Sequence, residues 1–317
     1  MEIGPTQTLN SQVGGHTDGS LLRKAVLPRE LEICQKLLYD PVLEALRPFT
    51  AKFLGTLKLE GEVDQSNPIT ANGGIGIKPI DDHKDELFWT IQSMVLENVT
   101  YPFLKPNILD AKLGTILHDE TTSPEKVERM KKTAGDTSSF ETGVRLTGFQ
   151  VHDNATSLPV ITPKSYGKSI KPSDLPDGIL RIFPVGQAPR SSSGLPKQTL
   201  LPILHAIRED VADIQQVFTT LEIRMVGGSL FIIYEADWAR ADNGFQRLWL
   251  DEGNEGEEEH EDEDDDEDDR PGPPFVVKII DFTHIRMAPG EGPDEGALLG
   301  FDTVLRLLDA RIASIEG

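Results

Sequence analysis

With 317 residues, 38% of them hydrophobic, the chain can bury a substantial core, as one large domain or as two lobes around a cleft. Its formal charge of −22 is concentrated: Asp251–Asp269 holds 15 acidic and no basic residues, and without it 38 acidic residues face 31 basic ones, a net of −7, with no concentrated basic surface of the kind a general nucleic-acid binder needs. A single cysteine, Cys34, excludes an intrachain disulfide and a cysteine-based zinc site, the longest apolar stretches (Leu230–Ile233, Phe275–Val277) are too short to span a bilayer, and the N-terminus lacks a secretory pattern.

Val13–Ser20 is glycine-rich and predicts a turn leading into the short segment Leu21–Leu27. A helix is expected from Pro28, a residue suited to a first helical position, through Leu31, Cys34, Leu37 and Leu38, with Cys34 on the apolar side. Pro41 interrupts or restarts it. Ala51–Leu59 reads as a strand, Gly61–Pro79 as a mobile loop, and Glu86–Thr100 as one or two strands leading to a turn. Pro106–Gly114 is a short apolar strand carrying two charges. Thr122–Thr133 predicts a helix, with Thr122 and Glu125 as a capping box and Pro124 near the first turn. Gly143–His152 and Gly178–Phe183 read as strands. Gln198–Leu221 is the longest helical pattern, with Leu200, Leu204, Ile207, Val211, Ile214 and Phe218 among its apolar positions. Leu221–Val226 and Ser229–Glu235 look like a hairpin joined by Gly227-Gly228, Phe275–Phe282 like a buried strand, and Glu295–Ile315 like a closing helix. Strands dominate early and no internal repeat is evident, which favours an α+β fold with antiparallel sheets.

In Pro106-Asn107-Ile108-Leu109-Asp110-Ala111-Lys112-Leu113-Gly114, Asp110 and Lys112 are two apart and share one sheet face. That face either opens onto a polar site or carries an ion pair on the strand surface. Lys126 and Arg129, three apart, are neighbours on their helix, which also carries Lys131 and Lys132. Lys164, Lys168 and Lys171 form a second basic cluster, lining a pocket or lying in an exposed loop.

The segment PNILDAKLG fits the P-x-x-x-D-x-K-x-G signature, and the chain resembles the inositol polyphosphate kinases over about residues 12–315, apart from the Gly61–Pro79 loop and the acidic run. Other pieces of the family stand in the same order: Gly14-Gly15-His16 with Leu22-Arg23-Lys24, Pro28–Glu32, Leu96–Thr100, Ser229–Glu235 and Ile280-Asp281-Phe282-Thr283-His284. The resemblance implies a two-lobed kinase-like α+β fold: a small N-terminal lobe with an antiparallel sheet over 1–100, a larger lobe over 101–317, and ATP between them. It implies ATP- and Mg²⁺-dependent phosphorylation of inositol polyphosphates, from the trisphosphate to the tetrakis- and pentakisphosphate. Lys24 would contact the ATP phosphates and pair with Glu30. Glu97 and Val99 would offer backbone groups to adenine. Asp110 would bind the ribose, with a catalytic base as its alternative role, and Lys112 would stabilise the transferring phosphate. Asp281 would hold Mg²⁺, while Lys126, Arg129 and His284 would meet the inositol phosphate.

Only 28 residues separate Gly114 from Gly143, which leaves room for one helix and suits the branch of the family that accepts several inositol phosphates; the acidic run between two core strands resembles the fungal members of that branch. A hexakisphosphate kinase and a non-catalytic scaffold are the alternatives. The chain departs from the family pattern at His118, Thr283 and Gly228, which leaves substrate preference open. The acidic run, taken with its flank as an insert over 251–270, has nothing apolar to bury and is expected to be disordered. Its functional alternative is docking of a basic protein such as a transcription factor or histone, with residence in nucleus and cytoplasm. Membrane insertion and direct nucleic-acid binding are not expected.

Overall fold

The computed structural model describes residues 19–59, 62–63, 77–78, 91–187, 193–252 and 272–317. The expected turn over 13–18, most of the Gly61–Pro79 loop, 86–90 and the acidic residues from 253 on lie outside these. Asp251 and Glu252 do not: they are the last residues of a helix, which corrects the expected disorder at these two positions.

The N-terminal part is a three-stranded antiparallel sheet, order β1-β5-β2, from β1 (Leu21–Ala25), β2 (Phe53–Leu59) and β5 (Ile91–Glu97). A two-residue pair, β3 (Glu62–Val63) with β4 (Ile77–Lys78), falls between β2 and β5 in the chain. Helix α1 (Pro28–Tyr39) starts on Pro28, where a missing N–H costs nothing, and buries Leu31, Ile33, Cys34 and Leu37. Pro41 restarts the chain as 3₁₀ helix over Pro41–Phe49.

The larger part is built on a five-stranded antiparallel sheet, order β13-β12-β6-β7-β8: β6 (Pro106–Leu113), β7 (Val144–His152), β8 (Pro159–Thr162), β12 (Ser229–Glu235) and β13 (Phe275–Ile280). Side-chain alternation gives the sheet two unlike faces. On one, Leu109, Ala111, Leu113, Leu146, Phe149, Leu230, Ile232, Tyr234, Val277 and Ile279 form the main core. Helices α5 (Leu175–Ile182), α6 (Lys197–Thr220) and α8 (Glu295–Glu316) contribute the facing residues of that core. Each large apolar side chain buried there is worth about 1.5–3 kcal/mol relative to exposure. The other face is apolar in one half, where Ile108, Phe231 and Ile233 meet Val99 and Phe103, and polar in the other, where Asp110, Lys112, Ser229 and Arg145 lie.

The core residues of β7 are 144, 146, 149 and 151, a change of parity that simple alternation forbids. A bulge resolves it: Asp110 lies opposite Gly148 and Ala111 opposite Leu146, leaving Thr147 as the extra residue, its Oγ1 donating to the Asp110 carbonyl at 2.9 Å.

Between the two sheets the chain turns at residues 98–105. Asn98 accepts from the Thr100 amide and hydroxyl and donates to the Gly19 carbonyl. Glu235, 2% exposed, accepts from the amides of Leu104 and Lys105 at 2.8 and 2.9 Å, which pins this hinge to the end of β12.

Three expectations are corrected. Gly178–Phe183 is not a strand: Gly178–Ile182 belongs to α5, whose buried Leu175, Ile179 and Ile182 have helical spacing, and Phe183 is its C-cap. The Gly227-Gly228 hairpin does not form: β11 (Ile223–Val226) pairs with β14 (His284–Met287), while β12 is taken up on both sides by β6 and β13. Gly227, at φ +73°, turns the chain from one sheet into the other. The capping box on Thr122 is absent, because α2 (Pro124–Asp136) starts after Ser123 and the Thr122 hydroxyl donates to Asp119 instead. Three helices went unforeseen: α3 (Ser139–Thr142), α4 (Lys164–Ser169) and α7 (Trp238–Glu252). A 3₁₀ turn over Pro172–Asp174 and a two-stranded parallel pair, β9 (Val185–Gly186) with β10 (Leu195–Pro196), complete the described elements.

Candidate active site

A cavity of about 850 Å³ opens between the three-stranded sheet, α1 and the end of β13. Leu22, Met94, Leu96, Val99, Phe231 and Ile280 are part of its apolar lining; Lys24, Glu30 and Asp281 bring charge to one end, and Glu44, Arg47, Lys52, Glu97 and Lys278 line it as well. At its polar end four side chains from four elements form one network. Lys24 Nζ on β1 lies 2.7 Å from Glu30 Oε1 on α1 and 3.6 Å from Asp281 Oδ1. Asp281 Oδ2 accepts from Lys112 Nζ on β6. Two lysines and two carboxylates thus balance in charge before any ligand enters.

The electrostatics follow from this arrangement. Burial pushes the Asp281 carboxyl up, and Lys112 and Lys24 more than reverse it, so its pKa lies below the ordinary carboxylate value. Burial would lower Lys24, but Asp281 and Glu30 outweigh that and raise it. Asp281 follows the last residue of β13 and has φ 67°, a left-handed conformation that an aspartate tolerates better than most residues. The turn takes its carboxylate out of the strand's alternation and into the network. Cys34 lies in the cavity wall, and burial drives its thiol up to about 12, so it packs rather than reacts.

Across the sheet, one rung aligns Ile280, Ser229, Lys112 and Arg145 on four adjacent strands. Asp110 Oδ1, Ser229 Oγ and Arg145 Nε on this face are all buried without a hydrogen-bond partner. Such unpaired groups are uncommon in a folded protein and are completed by water, an ion or a ligand. Among the described residues no three His, Cys, Asp or Glu side chains converge on a metal-sized site. A magnesium ion shared between one or two carboxylates and nucleotide phosphates needs no such cage, so Asp281 with the free Ser229 hydroxyl fits that ion.

His284 and Asp119 lie beside a second cavity, also about 850 Å³, flanked by Val127 of α2. His284 Nδ1 is 2.7 Å from Asp119 Oδ2, and Arg29 of α1 approaches the same oxygen at 3.7 Å. Burial raises the Asp119 carboxyl, but hydrogen bonds from Thr121, Thr122 and His284 together hold it far below the carboxylate range. Lys131 and Lys132 pair with Glu128 and Asp136 on their own helix, whereas Lys126 and Arg129 are exposed and make no ion pair among the described residues. Of the second basic cluster, Lys171 is committed to the Asp136 carbonyl at 2.6 Å. Lys164 and Lys168 are exposed on α4.

The structure therefore brings together Lys24, Glu30, Lys112 and Asp281, places Glu97 and Val99 in the same cavity, and puts Asp110 beside Lys112 on the cleft face. Lys126 and Arg129 sit apart on α2. The Glu97 amide is already bonded to the Lys52 carbonyl at 3.0 Å, so of its own backbone only the carbonyl is left to offer. Sequence reasoning missed Ser229 as a polar group of the site, Arg145, and the Asp119–His284 contact. A signal for Arg145 existed: in Val144-Arg145-Leu146 the arginine alternates with core residues and falls on the face away from them.

A small antiparallel sheet with one helix, hinged to a larger α+β lobe with charged residues between, is the architecture of a two-lobed kinase. The fold matches a solved inositol phosphate multikinase from Saccharomyces cerevisiae, in complex with ADP and Mn²⁺, with a TM-score of 0.63 and 25% identity over 93% of this chain and all of that one. Residues 93–309 match the model of the inositol polyphosphate kinase family, and the chain belongs to that family and is a kinase. It is 27% identical to the inositol polyphosphate multikinase of S. cerevisiae, over 94% of this chain and 96% of that one. Human inositol hexakisphosphate kinase 3 is 25% identical over 68% of this chain, which spans half the length of that relative.

Proposed function

We propose that the protein transfers the terminal phosphoryl group of ATP, with Mg²⁺, to ring hydroxyls of soluble inositol polyphosphates, from the trisphosphate to the tetrakis- and pentakisphosphate. The observation that carries this is the Lys24–Glu30–Asp281–Lys112 network at one end of a cavity between the lobes whose wall holds Leu22, Met94, Leu96, Val99 and Phe231. The similarity to the yeast multikinase over nearly the whole of both chains supports the breadth of substrate.

Phosphoryl transfer requires positioning and fixed positive charge more than covalent chemistry. The apolar wall, with the Glu97 carbonyl and Val99, would receive the adenine. Asp281 and Ser229 would hold the magnesium ion, whose contribution is to neutralise charge on the phosphates. Lys24, kept in place by Glu30, would contact the non-transferred phosphates. Lys112, on β6 beside Ser229 of β12, would stabilise charge on the group in transit. Asp110 Oδ1 would take a ribose hydroxyl or, in its alternative role, the proton of the acceptor hydroxyl. Lys126, Arg129 and His284 would meet the acceptor's phosphates. The acidic run starting at Asp251 would serve as a docking segment for a basic protein such as a transcription factor or histone, in a protein shared between nucleus and cytoplasm. Deleting it would leave catalysis intact.

The test is turnover with ATP, Mg²⁺ and a panel from inositol trisphosphate to hexakisphosphate, beside Lys112→Ala. Stepwise conversion to the pentakisphosphate by the wild type, with a loss on the order of 10² or more in the variant, is expected. Turnover of the hexakisphosphate alone would move the protein to the pyrophosphate-forming branch, to which its similarity to human hexakisphosphate kinase 3 also points. No turnover by folded protein would sink the enzymatic reading.

A further inference from the structure

We propose that Arg145 is a substrate-binding residue, contacting a phosphate of the inositol polyphosphate on the side of Lys112 away from the nucleotide. This rests on the reading above and assigns a specificity residue to that site.

Arg145 sits directly opposite Lys112 in the β6–β7 ladder, so both side chains leave the same face. Strands lie about 4.8 Å apart, which puts Arg145 one strand beyond Lys112 and about 10 Å from Ser229 on β12. The nucleotide-type cavity is lined by β12 and β13 residues such as Phe231 and Ile280. A group held at Lys112 therefore has that cavity on one side and Arg145 on the other.

The guanidinium is largely buried but uncompensated. Its Nε is without a partner, and no ion pair of Arg145 falls among the described residues. Burial lowers its pKa against the attraction of Asp110, the nearest opposite charge, yet Asp110 Oδ1 is itself unpartnered. The two charges feel each other without meeting. A partly desolvated cation without a counter-ion is costly, and an anion docking between Arg145 and Lys112 would remove that cost. The planar fork of arginine suits a phosphate better than a point charge does.

A further cation lies near by on the neighbouring helix. Gly148, opposite Asp110, carries no side chain, and a Cβ there would lie 3.9 Å from Lys164 Cγ. Lys164 thus approaches β7 at Gly148, two residues along β6 from the Lys112–Arg145 pair. The bulge at Thr147 allows this arrangement: it restores Phe149 and Val151 to the core while Arg145 stays on the cleft side.

The experiment varies inositol trisphosphate and ATP separately for wild type, Arg145→Met and Arg145→Lys, with calorimetric binding of the trisphosphate and melting of each protein. Loss of one charge-assisted contact predicts a rise of about 10- to 100-fold in KM and Kd for the inositol phosphate in Arg145→Met, with KM for ATP within about twofold. Arg145→Lys should fall between the two, and decides the matter alone if the methionine variant does not fold. A rise in KM for ATP with the inositol phosphate constants unmoved would overturn the inference and make Arg145 a support of Asp110. Wild-type turnover with both sets of constants unmoved in the variants would overturn it as well, leaving the kinase reading intact. A wild type that neither binds nor phosphorylates any inositol phosphate would remove that reading and this inference with it.

Discussion

Lys24→Met separates the structural work of the charge network from its catalytic work. Glu30 is 2% exposed, and its carboxylate is bonded to Lys24 Nζ at 2.7 Å. Removing the lysine leaves a buried carboxylate without its cation, a loss of about 3–5 kcal/mol for pairs of this kind. Asp281 suffers less, because Lys112 remains. At about 1.5 °C per kcal/mol for a chain of this size, the melting temperature should fall by roughly 5–8 °C. Glu30→Gln in the same protein removes the stranded charge and should recover most of that fall. Activity should not follow, since the phosphates still lack their cation: kcat/KM should stay down by about 10² in single and double variants alike. Differential scanning fluorimetry and steady-state kinetics read the two quantities separately. A double variant that regains both stability and turnover would refute the role of Lys24 at the phosphates. An unchanged melting temperature in Lys24→Met would refute the structural half.

Asp210, half-buried on α6, has its carboxyl pushed up to about 6 by burial and by Asp213. A folded-state pKa above the unfolded value means the native state binds more protons between about pH 4 and 6, so stability should fall as pH rises through that window, by on the order of 1–3 kcal/mol. Asp210→Asn should abolish that slope and raise the melting temperature at pH 7; a slope unchanged in the variant would refute the assignment. Gly143 has φ +66°, and a Cβ there would lie 2.5 Å from the Gly300 amide nitrogen. Gly143→Ala should cost roughly 3 kcal/mol or more, read by urea unfolding, because β7 and α8 would have to part. Cys34, at about 12, should react with a thiol reagent at pH 8 on the order of 10³-fold more slowly than a free thiol, and at the free rate once unfolded.

Much of the local structure was written in nearby residues. Pro28 and the apolar spacing behind it mark the start and buried face of α1, and Leu200 to Phe218 mark the long core helix, because both depend on a 3.6-residue period visible in one segment. In β6 the alternation alone puts Asp110 and Lys112 together on one face, and the family motif marks that face as the chemical one. What lies across from it was not legible. Lys112 meets Asp281 across 169 positions of chain, and His284 meets Asp119 across 165. The β11–β14 pairing in place of a local hairpin, the bulge that keeps Arg145 beside Lys112, and the turn that aims Asp281 all depend on which strand edges were free and which apolar faces had to be covered. Periodicity, and through it the identity of most elements, is decided within a segment. Partnership between strands is decided by burial shared among segments far apart, and only the folded chain carries that information.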